Sequence, residues 1–155
     1  MPRSSALALA LLSLALPATL LAQTGRNTQL LGCFNPGEMS SGVWGYRDAA
    51  NGTELAFLLS MSGTYVLDCT TGVPVQRAFI AGPSSGWREA KTYGQYCYVV
   101  TEGGGGMQVI DLSNPASPLL VGTHTVAGWN NTHTILVDDG TGKIYCCGTD
   151  RKSVV

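Results

Sequence analysis

The feature that most constrains this chain is an internal repeat. Trp44-Gly-Tyr-Arg47 leads to the apolar run Leu55–Ser60, then to Gly63-Thr-Tyr-Val-Leu-Asp68 and Gly72-Val-Pro74. Further on, Trp87-Arg-Glu89 leads to Tyr96–Thr101, then to Gly106-Met-Gln-Val-Ile-Asp111 and Asn114-Pro115. Leu55 to Tyr96 is a step of 41 residues and Gly63 to Gly106 a step of 43, within the period of a four-stranded propeller blade. A third unit opens at His133–Val137, turns at Asp138–Gly142 and enters Lys143–Cys147. The expected fold is all-β: an incomplete β-propeller of about two blades plus the start of a third.

Local chemistry agrees with short strands joined by tight turns. Twenty glycines in 155 residues would be costly in helices and are cheap in turns. Asn51-Gly-Thr53 and Asp139-Gly-Thr-Gly142 predict hairpin turns, because Asn, Asp and Gly tolerate the positive φ such turns demand. Gly103–Gly106 is not a phosphate loop, since no Lys-Ser/Thr follows and Met107–Asp111 reads as a strand. Asp68 and Asp111 recur at one position of the repeat, which predicts a turn-capping carboxylate; calcium would need a clustered D-x-D-x-D-G pattern.

The first 22 residues differ from the rest. Arg3, an apolar run from Ala6 to Leu16, Pro17 and the small Ala22 read as a secretory signal peptide. A membrane anchor would need about 20 uninterrupted apolar residues. Cleavage is expected after Ala22, with Ala18 the alternative, and no later stretch is long and apolar enough to span a bilayer. The repeat domain is expected over 23–149. The last residues, 150–155, do not continue the repeat; they match one reading frame of a sequencing adapter and are expected to be a non-native tail. Export makes Cys33, Cys69, Cys97, Cys146 and Cys147 candidates for disulfides rather than zinc, with one thiol at least left over. The neighbours Cys146 and Cys147 should point to opposite faces of a strand.

With nine basic residues scattered against ten acidic ones, a nucleic-acid surface is not expected. No cofactor and no resident metal are expected, and no G-x-S-x-G hydrolase elbow is present. The candidate ligand-binding residues are Arg88 and Glu89, at a unit start that would face a channel or rim, and His124 and His133, nine apart with Trp129 between them. Trp44, Trp87, Trp129 and the tyrosines read as packing between blades, with a sugar-binding aromatic platform as the functional alternative. Asn51-Gly-Thr53 and Asn130-Asn-Thr132 are glycosylation sequons if the source is a eukaryote.

Trp87-Arg-Glu-Ala-Lys-Thr-Tyr-Gly94, Tyr98-Val-Val-Thr-Glu102 and Gly106-Met-Gln-Val-Ile-Asp-Leu112 with Pro115 resemble the choice-of-anchor B family, built of LVIVD-type repeats. The resemblance runs from about Leu30 to Thr149. It implies a β-propeller and a secreted or cell-surface location, and through propeller closure a strand over 27–34 that would complete the last blade of a ring. Two functions are compatible: a non-catalytic module binding an extracellular protein or glycan, and a fragment of an exported propeller enzyme with a channel site. A chain with so few units is expected to expose sheet edges and to aggregate.

Overall fold

The computed structural model describes residues 27–126 and 128–148. The expected leader at 1–22 and tail at 150–155 lie outside them. The chain divides into a unit ending at Leu30 and a compact unit beginning at Leu31. All described secondary structure belongs to the second unit.

Ten strands and no helix are formed among the described residues. β1 (Ser40–Arg47), β2 (Glu54–Ser60), β3 (Gly63–Asp68) and β4 (Val75–Ala81) make one four-stranded antiparallel meander. β5 (Arg88–Tyr93), β6 (Tyr96–Thr101), β7 (Met107–Asp111) and β8 (Leu119–His124) make a second. β9 (Thr134–Asp138) and β10 (Lys143–Cys147) form an antiparallel pair. The whole is consistent with an incomplete β-propeller-like repeat fold. Both predicted hairpin turns are present, with Gly52 at φ 78° and Gly142 at φ 68°.

Strand alternation puts one apolar face of each sheet against its neighbour. Leu55, Phe57 and Leu59 of β2, with Val66 and Ile80, meet Ala90, Cys97, Val99, Ile110 and Leu112 of the second sheet. On the far side of that sheet, Val100 and Met107 meet Trp129 of the segment after β8 and Ile135 and Cys146 of the third unit. The step between sheets therefore buries alternate residues of β6 in opposite directions: Cys97 and Val99 backward, Tyr98 and Val100 forward.

The strand registers correct one alignment. Leu55, Phe57 and Leu59 correspond to Tyr96, Tyr98 and Val100, a step of 41. Trp44 lies opposite Phe57, whereas Lys91 lies opposite Tyr98, so the counterpart of Trp44 is Lys91, 47 residues on, and not Trp87. The cause is turn length. Six residues, 48–53, join β1 to β2, and only Gly94 and Gln95 join β5 to β6.

Residues 27–34 form no strand. From Leu31 on, this segment instead lies against the outward face of the first sheet: Phe34 packs on Tyr65, ring centroids 5.4 Å apart, and Tyr65 on Phe79. A strand requires a ladder of backbone partners, and the segment packs here through side chains.

The cysteines do not pair. All five are free. Cys97 is fully buried and acts as a small core residue, its thiol pushed far up by desolvation. Cys146 is buried and Cys147 exposed, on opposite faces of β10 as the strand period requires.

Candidate functional site

Several polar residues repeat for architectural reasons. The Asp68 carboxylate accepts from the Thr70 amide (2.9 Å) and hydroxyl (2.6 Å), and Asp111 accepts from the Ser113 amide (2.8 Å). The recurring aspartates are thus turn caps, as their position in the repeat predicts. These hydrogen bonds and two from Arg77 hold Asp68 down at about 2. A second recurring device joins the sheets. The amide of Arg88, first in β5, donates to Ser41 Oγ of β1 (3.1 Å), and the amide of Ile135 in β9 donates to Glu89 Oε2 of β5 (3.2 Å).

Arg88 and Glu89 are therefore placed on opposite faces of β5. Arg88 is turned into the interface between the first two sheets and is 2% exposed. Its Nε donates to Ser60 O (3.1 Å) and its Nη2 to Pro83 O (2.7 Å). Nη1 makes no hydrogen bond, and neither does the buried Gln108 Oε1, although Gln108 Nε2 donates to Ala81 O. Glu89 points to the third unit and pairs with Lys91 Nζ at 2.7 Å; these partners outweigh desolvation and lower its pKa. The Lys91 ammonium also sits 4.1 Å from the centroid of the Trp44 ring.

The two histidines are not brought together. His124 tilts against Trp129, with centroids 6.0 Å apart, beside a small apolar cavity of about 220 Å³ that also touches Met107, Val126, Ile144 and Cys146. His133 instead lies flat on Trp87, centroids 4.5 Å apart and planes 6° off parallel. Its Nδ1 is 2.6 Å from Glu102 Oε1, and the Trp87 indole N–H donates to the His133 carbonyl. All three side chains stay accessible: Trp87 is 40% exposed, His133 46% and Glu102 51%.

Trp87, Glu102 and His133 bring together a part-exposed indole that His133 covers on one face, a carboxylate and an imidazole between the second sheet and the third unit. Glu102 was not among the sequence candidates. It stands 31 residues from His133, and the one available signal was the Thr101-Glu102-Gly103 step at the end of an apolar run. Unlike the turn caps, this trio does not repeat. By strand register Trp87 corresponds to Met39 and Glu102 to Met61, since the Met61 amide donates to the Met39 carbonyl as the Glu102 amide does to that of Trp87. Gly86, two residues before Arg88 as His133 is before Ile135, has no side chain. Residues needed only for the sheet-to-sheet step should appear at both interfaces, and these three appear at one.

Between Arg88 and Val126, every strand of the second sheet and the turn that carries Glu102 come from one continuous segment. Residues 88–126 match the LVIVD repeat. The LVIVD match thus coincides with the meander β5–β8 and takes in Arg88, Glu89, Glu102 and His124; His133 and the third unit follow it. No curated protein and no solved structure matches the chain. Among the described residues, no three His, Cys, Asp or Glu side chains gather as metal ligands, and no helix is long and apolar enough to cross a membrane.

Proposed function

We propose that this chain is part of an exported β-propeller module of the choice-of-anchor B type that binds an extracellular protein or glycan without transforming it. The observation that carries the reading is the exposed Trp87–His133–Glu102 cluster, which the repeat architecture does not require. An aromatic face left open beside charged and hydrogen-bonding groups is the composition of a recognition surface. Support for export comes from the leader-like residues 1–22.

The test is a binding titration of the labelled chain on immobilised cell-surface glycoproteins. Saturable binding that is lost in Trp87→Ala and kept in Arg47→Ala, a change at an exposed ion pair on another turn, supports the reading. Binding that survives Trp87→Ala overturns it.

A second reading rests on the His133–Glu102 pair. A carboxylate on Nδ1 orients an imidazole for proton transfer at Nε2, as an exported propeller enzyme would use it. Release of product from the same glycoproteins, abolished by His133→Ala, would favour that reading over simple binding.

A further inference from the structure

We propose that the ligand of the Trp87–Glu102–His133 cluster is a carbohydrate of at least two units, one ring lying on the indole face that His133 leaves uncovered and a pair of hydroxyls of its neighbour meeting Glu102 and His133; this rests on the binding reading above.

The chemistry of the groups selects the class. When the neutral His133 donates its Nδ1–H to Glu102 Oε1, its Nε2 carries a lone pair. Glu102 Oε2 is a second acceptor beside it. Two neighbouring acceptors suit two neighbouring O–H donors, which vicinal diols supply. The face of the Trp87 indole turned away from His133 adds a flat apolar surface of the kind that meets the C–H side of a pyranose.

A donor completes the set. Exposed Asn130 commits its Oδ1 to the Gly105 amide (2.9 Å), which leaves its NH2 group as donor next to the glycine turn that follows Glu102. That turn is held in place: Gly104 and Gly105 have φ of 90° and 81°, and the Gly106 amide donates to the Asn130 carbonyl at 2.8 Å. The acceptors therefore stand on fixed backbone, and little ordering is needed on binding. A cationic peptide is the competing ligand for an aromatic beside a carboxylate. It is disfavoured here because one carboxylate, already engaged by an imidazole, offers little net charge.

The experiment uses tryptophan fluorescence of the full chain. Of its three tryptophans, Trp87 alone is exposed; Trp129 is buried and Trp44 packs against the core, so a ligand at the cluster reports through one ring. The probes are a panel of neutral disaccharides (cellobiose, maltose, lactose, mannobiose) and an oligolysine peptide. The expected result is a saturable change with at least one disaccharide. Affinity should fall tenfold or more in Glu102→Gln, an exposed near-isosteric change, and be unaltered in Glu54→Gln. Saturation by oligolysine alone would overturn the carbohydrate assignment while leaving the binding function standing. No response to either probe class, with glycoprotein binding still dependent on Trp87, would also overturn it; loss of both signals would remove the binding reading as well.

Discussion

Trp87 and His133 lie face to face, 4.5 Å between centroids, although 46 residues separate them. The indole holds the imidazole by stacking and by its N–H bond to the His133 carbonyl, while Glu102 holds it from the edge. Trp87→Ala is expected to cost about 0.5–1.5 kcal/mol from the lost ring pair. The loss should be local: amide exchange at Thr132 and His133 should quicken while that of the β2–β3 ladder stays unchanged, as hydrogen-exchange NMR would show.

Arg88 and Gln108 make a contrasting pair. Removing the Arg88 side chain leaves the Ser60 and Pro83 carbonyls without their donor inside the sheet interface, and Arg88→Ala should cost about 3 kcal/mol or more. Gln108→Leu gives up one bond to Ala81 O and also removes the unbonded Oε1, so its cost should stay within about 1 kcal/mol. Denaturant midpoints of the two variants measure the difference.

The free thiols should separate by reactivity. Exposed Cys33 and Cys147 are expected to react with a disulfide reagent at once under native conditions, and half-buried Cys69 more slowly. Cys97 and Cys146, buried and with raised thiol pKa values, should react only on unfolding. Fast labelling of Cys97 in the native chain would contradict its position in the core.

Asp68 sets an acid limit. Its folded pKa, lowered to about 2 by Thr70 and Arg77, lies below that of a free carboxylate at about 3.9. The stabilisation it gives is complete above pH 4 and is lost as pH falls from about 4 to about 2. In Asp68→Asn this part of the acid dependence should vanish, with unfolding curves at pH 2 and pH 5 closer together than in the parent.

The outer face of β9–β10 exposes Leu136 (60%) and Tyr145 (37%). Side chains of this kind beside a strand edge favour sheet-to-sheet association. The purified chain should self-associate with concentration in light scattering, and Leu136→Lys should reduce this without lowering stability by more than about 0.5 kcal/mol.

Much of the fold was legible because its causes are local. The turn caps at Asp68 and Asp111 bond to residues two positions on, and the opposite fates of Cys146 and Cys147 follow from the strand period. The repeat was legible for the same reason, since each meander is continuous in sequence. The candidate site was half legible. His133 was among the candidates, but its partners Trp87 and Glu102 lie 46 and 31 residues away and were not joined to it.

By itself, then, the sequence determined an all-β chain of repeating four-stranded units, with the turns and strand faces that adjacent residues dictate. Only the tertiary structure decided that Trp44 matches Lys91 rather than Trp87, that Arg88 points into an interface, and that Glu102 reaches His133. Each of these depends on how one sheet is set against the next. That setting is fixed by turn length and by buried side chains of two units together, and neither appears in the spacing of residues within one.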